Sequence, residues 1–405
     1  MSKVSGAFDG WIRSRFTELN TDLENLYFAA ADRADVDGVG DALKAMLRDE
    51  GQAHVAALWQ EGNTGDGFES AFDVLGNVGM YLAAMRRHEL TNPAREERSP
   101  FREASSLALQ AGASIGMAPR FASAHLATRN RAIAGVRKSF TSLADEFRFI
   151  DDNARAMLAF QRAAEALSAV LPLGVSNPVA DGQFIAAATA LHDVIACNAR
   201  LFADLDVDRF FFSVRPYYKP HRVGRQEYRG ANAGDFSGIN ELDLLLGLTR
   251  ANDPAYAQLI VDKMLFMLPG DQARLREAMR HPSLLDAFLG EIDRGPVTPV
   301  LARNAALFLD VVALFGHTAS QHHDQLVERF IAHPAQGLAA PHLAQITASG
   351  PPLAVLMAAL ARLRNQRIAA DHPGIGSRHA DVARLRAALP NQEARRPSTD
   401  AAAGL

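Results

Sequence analysis

The sequence predicts an all-α fold, a large helical bundle enclosing a pocket with a smaller helical region at the N-terminus. Runs rich in Ala, Leu, Arg and Glu carry apolar residues at the spacing of a helix. Alternating β-branched segments, which would indicate strands, are scarce. The chain has 405 residues, of which 48% are hydrophobic, so it can bury a large core.

The first third of the chain predicts three helices followed by a charged break. The helices are predicted at 7–32, 37–60 and 66–88. The stretch TNPAREERSP at 91–100 is typical of an exposed connection. We therefore predict an N-terminal helical region at 1–100, a larger helical domain at 101–390 and a disordered tail at 391–405.

The larger domain begins with a run of small residues at 102–128, and a loop with two prolines and four glycines is predicted at 215–238. A further helix is predicted to begin at Pro351–Pro352, since proline is tolerated in a first turn. The remaining helices are predicted at 140–171, 180–204, 239–250, 254–267, 270–280, 282–292 and 297–332.

Composition narrows the class of protein. Lys and Arg total 42 against 46 Asp and Glu, interspersed along the chain, so nucleic acid is not an expected partner. The single Cys197 excludes an internal disulfide, and no leader segment is recognised, so we expect a cytoplasmic protein. The longest stretch without charge, between Arg329 and Arg362, is interrupted by four prolines. No membrane-spanning segment is therefore expected.

One histidine of the long predicted helix at 297–332 falls on its apolar stripe. His323 shares helical spacing with Phe315 and Ala319, whereas His322 falls outside the stripe. Gly316 and Ala319 would leave a trough for a planar macrocycle, so the spacing suits an axial ligand. A buried histidine bonded to a carbonyl explains the same spacing, and His317 is a weaker candidate ligand.

Other chemistries have less support in the sequence. The 13 histidines include no H-E-x-x-H motif, and no cysteine cluster accompanies them, so a metal site without a porphyrin is not favoured. Cys197 lies in the apolar run DVIACNARLF, which is typical of core packing rather than of a nucleophile.

Four segments resemble the indoleamine 2,3-dioxygenase family, in that family's order. HDQLVERFI at 323–331 resembles its proximal-histidine helix, and LDVDRFFFSVRPYY at 205–218 resembles its distal segment of paired phenylalanines and an arginine. RGANAGDFSGINELDLLLGL at 229–248 resembles its glycine-rich loop and the following helix. ASGPPLAVLMAALARLR at 348–364 resembles its glycine-threonine loop, with Ser349 at the threonine position.

Further segments resemble one bacterial branch of this superfamily. ELNTDLENLYF, LGNVGMYLAAMRRHE and YRGANAGDF are similar to the branch that contains monodechloroaminopyrrolnitrin synthase. A fainter similarity in ALQAGASIGMAP at 108–119 would place Ala113 or Ser114 over the distal face of the haem. The resemblance implies a haem pocket inside the helical bundle, with haem b bound through its iron to His323.

The resemblance also implies roles for other residues. Phe210, Phe211, Arg215 and Ser114 would line the substrate side. The cofactor side would include Gly230, Ala231, Asn232, Ala233, Gly234 and Ser349. Without the resemblance, the phenylalanines are equally explained as core, the arginine as a paired side chain and the glycine run as a turn. Three arginines compete as anchors for the haem propionates: Arg222, Arg225 and Arg229.

The expected function is a haem-dependent oxygenase. Its substrate would be an aromatic amino acid, tryptophan or an indole derivative, and dioxygen would be inserted or would drive an oxidative rearrangement. A haem-dependent peroxygenase or hydroxylase, and a haem- or gas-binding protein without catalysis, remain as alternatives. A homo-oligomer is also left open.

Overall fold

A computed structural model describes residues 2–62, 66–338 and 352–390, and over these residues the predicted all-α fold is confirmed. The first half contains α1 Lys3–Arg13, α2 Arg15–Ala29, α3 Asp41–Glu61, α4 Gly67–Arg87, α5 Arg102–Ile115, α6 Ser123–Leu126, α7 Ala144–Leu173 and α8 Ala180–Asp204. The second half contains α9 Val207–Arg209, α10 Ser237–Leu246, α11 Pro254–Met264, α12 Pro269–Ala278, α13 Leu284–Arg294, α14 Pro299–Ser320, α15 His333–Ala335, α16 Leu353–Arg367 and α17 His379–Ala387.

Irregular elements interrupt this pattern at two places. Between α9 and α10 lie a π-helix at Phe210–Val214, a 3₁₀ helix at Arg215–Tyr218 and an antiparallel hairpin of β1 His221–Val223 and β2 Gln226–Tyr228. The loop predicted at 215–238 is therefore partly ordered into a hairpin. A second π-helix, Gln321–Ala332, continues α14. It was predicted as ordinary α-helix, because apolar spacing does not distinguish the two forms.

The predicted helix boundaries differ at the N-terminus and in the small-residue run. The helix predicted at 7–32 is broken at Ser14 into α1 and α2. Helix α5 ends at Ile115, because Gly116 adopts a left-handed φ of 68° at its C-cap. The helix predicted at Pro351–Pro352 is present as α16, capped by Pro352.

The first hydrophobic core joins α1 to α5 with later segments. Phe16, Tyr81, Phe121 and Phe140 are each at most 1% exposed in it. Tyr217, from the 3₁₀ helix, stacks on Phe140 with ring centroids 4.4 Å apart. The core thus extends well beyond residue 100, and the division of the chain at that residue stays a prediction.

The second core is built by α7, α8, α10, α13, α14 and α17. Helix α8 packs against both α7 and α14 and also against the π-helix that follows α14. Asn198 of α8 donates to Gln321 Oε1 at 3.3 Å, at the start of that π-helix. Helix α8 therefore holds α7 and the His323 helix side by side.

The continuous helical segment Pro299–Ala335 is long and apolar enough to cross a membrane by length and composition, which the sequence prediction did not expect. That prediction considered only the stretch without charge, whereas this segment includes Arg303 and Asp310. Phe308 and Phe315 are at most 1% exposed in the second core, so core packing accounts for part of the apolar composition.

The predicted trough at Gly316 is not available to a cofactor. A Cβ at Gly316 would lie 3.2 Å from the Arg367 carbonyl oxygen and 3.2 Å from Ile368. The glycine therefore admits the end of α16, and this expectation was wrong.

Candidate active site

His323 lies in the first turn of the second π-helix and is 8% exposed. Its Nδ1 lies 2.7 Å from Oδ1 of Asp324, which also accepts a hydrogen bond from Arg364 Nη1 at 2.5 Å. Burial opposes ionisation of Asp324, but the hydrogen bonds from His323 and Arg364 lower its pKa below the usual value. An ionised carboxylate accepts a proton donor, so Nδ1 carries the ring hydrogen.

The other ring nitrogen of His323 is buried without a partner. Nε2 has no hydrogen-bond partner among the described residues. A buried polar atom without a partner is costly, and a neutral imidazole whose Nδ1–H binds a carboxylate presents an Nε2 lone pair suited to iron. Haem brings four nitrogen donors of its own, so a single imidazole fits it. Within the described residues no group of three His, Cys, Asp or Glu side chains could hold a metal ion.

His322 precedes His323 and differs from it in exposure. Its side chain is exposed, whereas His323 is only 8% exposed, so the two rings point in different directions.

The first π-helix brings its phenylalanines to the His323 helix. Phe210 is 7% exposed and packs edge-on against Phe330, with ring centroids 5.9 Å apart. Phe330 follows His323 by seven residues in the same π-helix, so Phe210 contacts the helix that carries His323. Phe211 is 4% exposed and lies 5.4 Å from the guanidinium carbon of Arg215. The structure thus groups three of the predicted substrate-side residues.

Arg215 is a buried cation. Its side chain lies in the 3₁₀ helix that follows the phenylalanines, and desolvation lowers its pKa to about 10. It therefore remains charged at neutral pH. The segment before it is fixed from the N-terminal helices, because Arg87 donates to the Phe212 carbonyl at 2.9 Å. Arg87 is itself held by a buried bidentate pair with Glu24.

The glycine loop at 230–234 is closed by Asp235. This carboxylate accepts two bonds from Arg229, at 3.0 and 2.8 Å, and one from the Asn232 amide at 2.8 Å. The Asn232 amide is thereby occupied, which reduces the donors that the loop offers to an anion. Gly230 and Ala231 are buried, whereas Asn232, Ala233 and Gly234 are partly exposed.

The loop reaches the His323 helix through two aromatic contacts. Phe236 packs on Phe160 of α7 at 6.0 Å, and Phe160 packs on Phe315 at 6.3 Å. Phe315 precedes His323 by about two turns on the same face. Along the long helix, the glycine loop is therefore connected to a position before His323, and the phenylalanine segment contacts a position after it.

Helix α7 supplies residues that the sequence did not reveal. Phe149 contacts Phe210 at 4.9 Å, and Phe160 contacts Phe315 of α14 at 6.3 Å, so this face of α7 meets the first π-helix at one end and α14 at the other. Asn153, Ala156 and Met157 share the helical face of Phe149 and Phe160. Their spacing was visible, but no motif distinguished this face from ordinary core.

The chain matches a known protein family over almost its whole length. Residues 2–389 match the family model of monodechloroaminopyrrolnitrin synthase PrnB. The chain belongs to this family. The monodechloroaminopyrrolnitrin synthase family is haem-dependent and comprises oxidoreductases that act on a tryptophan-derived substrate. The resemblance to the bacterial branch is confirmed.

One predicted site residue of this family member, Ser114, lies away from the group. Ser114 is exposed at the end of α5, and its hydroxyl donates to the Ala111 carbonyl at 2.8 Å. Helix α5 packs on α3, α4 and β1, so the predicted position over a haem is not supported. The small residues of α5 instead allow close packing with α4. Ser349 and the tail at 391–405 lie outside the described residues.

The three arginines considered as propionate anchors are differently placed. Arg229 is held by Asp235, and its guanidinium lies 3.9 Å from the Phe266 ring centroid. Arg222 donates to the carbonyls of Arg225 and Pro93, on the hairpin side. Arg225 is exposed at the hairpin turn.

Two surface clefts lie away from the candidate active site. One is lined by Arg155, Arg162, Asp193 and Arg200 between α7 and α8. The other is lined by residues that include Glu241 and Arg274. His323 lines neither cleft. The candidate site is therefore located by the side chains around His323 and not by a surface cleft.

Proposed function

We propose that this protein is a haem-dependent oxygenase whose substrate is an aromatic amino acid, tryptophan or an indole derivative. Its co-substrate is dioxygen, and the product arises by oxygen insertion or oxidative rearrangement. The family match supports haem dependence and a tryptophan-derived substrate. The observation that carries the proposal is the buried Nε2 of His323, which has no partner among the described residues.

His323 would hold the iron of haem b through Nε2. Asp324, fixed by Arg364, keeps the imidazole in the tautomer that leaves Nε2 free and sets the orientation of the ring. When bound, haem supplies the redox-active iron for oxygen chemistry.

Arg215 would bind the substrate carboxylate. Its guanidinium is charged, desolvated and stacked near Phe211, and its planar fork suits two parallel hydrogen bonds to a carboxylate. The rings of Phe210 and Phe211 and the side chain of Met157 would form an apolar wall for an indole and exclude water. Fixing the ring at one position lowers the entropic part of the barrier.

Haem titration of the apoprotein tests the ligand assignment. The parent and the matched control His322→Ala are expected to develop the same Soret band, whereas His323→Gly is expected to bind haem weakly. Because free imidazole can occupy the vacated position, its addition to His323→Gly is expected to restore the parent spectrum. A parent without a Soret band, or a His323→Gly spectrum identical to that of the parent, would sink the assignment.

Oxygen uptake by the reduced holoprotein tests the reaction. L-Tryptophan is expected to start uptake in the parent, and Arg215→Gln is expected to raise KM for tryptophan much more than it changes haem binding. Turnover that requires peroxide instead of dioxygen would favour a peroxygenase. Haem binding without any turnover of indoles would favour a haem- or gas-binding protein.

A further inference from the structure

Lys263 of α11 is a half-buried cation beside the glycine loop. Its Nζ donates to Asn240 Oδ1 at 3.3 Å. A Cβ placed on Gly234 would lie 3.4 Å from the same Nζ, so the ammonium lies over the loop backbone. A Cβ at that position would make an ordinary van der Waals contact with the amine.

The acids near Lys263 are already paired with arginines. Asp235 binds Arg229, and Asp243 accepts two bonds from Arg367, at 2.8 and 2.7 Å. Lys263 forms no salt bridge with any described residue. Burial, with Arg367 and Arg229, lowers its pKa to about 8, although Asp235 and Asp243 act in the opposite direction. The ammonium is therefore desolvated without a direct counter-ion.

Ion pairs connect the surroundings of Lys263 to His323. Asp243, about one turn after Asn240 on α10, binds Arg367 of α16. Arg364, about one turn before Arg367, donates to Asp324 Oδ1, which lies 2.7 Å from His323 Nδ1. Arg367 is neutralised by Asp243, which leaves Lys263 as the cation that can attract an anion between the glycine loop and the His323 helix.

We propose that Lys263 binds a carboxylate between the glycine loop and the helix that carries His323, supplied by a haem propionate or by an amino-acid substrate. The inference rests on the proposed function, because both sources of the carboxylate belong to it. A carboxylate within hydrogen-bond distance of Nζ would supply the missing counter-charge and repay part of the cost of burying the amine.

The test uses Lys263→Met, which keeps the length of the side chain, with Lys263→Arg as the conservative variant. The matched control is Lys3→Met, since Lys3 is exposed near the N-terminus. Loss of an uncompensated charge should not destabilise the apoprotein, so apo Lys263→Met is expected to melt at or above the parent temperature. That measurement separates a binding defect from misfolding.

The first readout is haem loss to excess apomyoglobin. If a propionate is the ligand, Lys263→Met should lose haem about 10- to 100-fold faster than the parent, and Lys263→Arg should restore most of the difference. Haem dimethyl ester, which lacks propionate charge, should then leave both proteins at the same rate.

The second readout is the spectral shift that L-tryptophan causes in the ferric holoprotein. If the substrate carboxylate is the ligand, haem loss should stay unchanged while the apparent Kd for tryptophan rises about 10-fold or more in Lys263→Met. Tryptamine, which has no carboxylate, should bind both proteins equally. If the parent binds haem and neither readout changes, the inference is refuted while the proposed function stands. A parent that binds no haem refutes both.

Discussion

The carboxylate of Asp324 contacts His323, the candidate iron ligand, and sets the orientation of its ring. Asp324 follows His323 directly in the chain and is exposed. Its carboxylate nevertheless reaches back to Nδ1, with Arg364 fixing the far side. Partners of this kind hold the ring orientation and tautomer of a ligating histidine.

Removal of this partner should weaken the haem site. Asp324→Ala is expected to lower haem affinity by about 10- to 100-fold, because the imidazole loses its orientation and part of its basicity. Haem titration of the purified apoprotein measures the effect, and Glu328→Ala, one turn further along the helix, serves as the control. Equal affinities of the parent and Asp324→Ala would contradict a positioning role.

Residue positions were predictable where spacing or resemblance singled them out. His323 follows Phe315 and Ala319 at intervals of four residues, and its burial agrees with that stripe. Ser114 failed because a run of small residues on α5 does not indicate which neighbour it admits. Lys263 could not be singled out, since its significance depends on two ion pairs formed by residues distant in the sequence.

At the scale of elements, α4 is the most enclosed helix of the first core. A Cβ on Gly79 would lie 2.1 Å from the backbone nitrogen of Phe121, so the chain before α6 crosses α4 at backbone contact. The sequence predicted α4 closely, but it gave no reason to expect this crossing. Phe121 lies about 40 residues after Gly79 in the sequence, so no local pattern could indicate this contact.

Gly79→Ala should therefore destabilise the protein. The added methyl group has no space and must displace backbone, so we expect a loss of about 2–4 kcal/mol in the free energy of unfolding. Gly10→Ala is the control, because nothing lies within 4 Å of a Cβ there. In helix α1 that substitution should instead stabilise by about 0.5–1 kcal/mol. Urea unfolding of both variants decides the matter, and a neutral Gly79→Ala would show that the crossing can relax.

The whole molecule carries buried neutral histidines in its first core. His125 stacks on Phe72 with ring centroids 3.8 Å apart, and its Nε2 lies 2.9 Å from the Phe72 carbonyl. Burial lowers its pKa to about 4, assisted by nearby Lys138. His88 and His221 are also buried, and burial lowers their pKa values well below the usual one. Lowering the pH should therefore protonate these histidines and destabilise the first core.

The lowered pKa of His125 decides whether the free energy of unfolding rises or falls with pH. Between pH 6.5 and about 4 the unfolded state binds more protons than the folded state, so stability is present at neutral pH and lost as pH falls. The expected contribution is about 3 kcal/mol across that window. In His125→Gln the free energy of unfolding should fall less steeply with acid than in the parent, whereas exposed His281→Gln should keep the parent slope. Parallel slopes for the parent and His125→Gln would count against this account.

Over the whole molecule, the helix content and the order of the helices followed from periodicity. The way in which they assemble did not. The first core includes Tyr217 and Phe330 beside Phe16, and contacts over such separations leave no mark on local spacing. The polar pair of Glu24 and Arg87, which fixes the Phe212 carbonyl, was invisible for the same reason.

The π-helix at Gln321–Ala332 has a consequence for chain length. Its bonds run to the fifth residue rather than the fourth, so each turn accommodates more residues than an α-helix does. Removal of one amino acid after Asp324 would draw every later residue one position closer to His323 and rotate it about the helix axis. His323 and its contact with Asp324 should then keep their place, while Val327 and Phe330 leave their present positions.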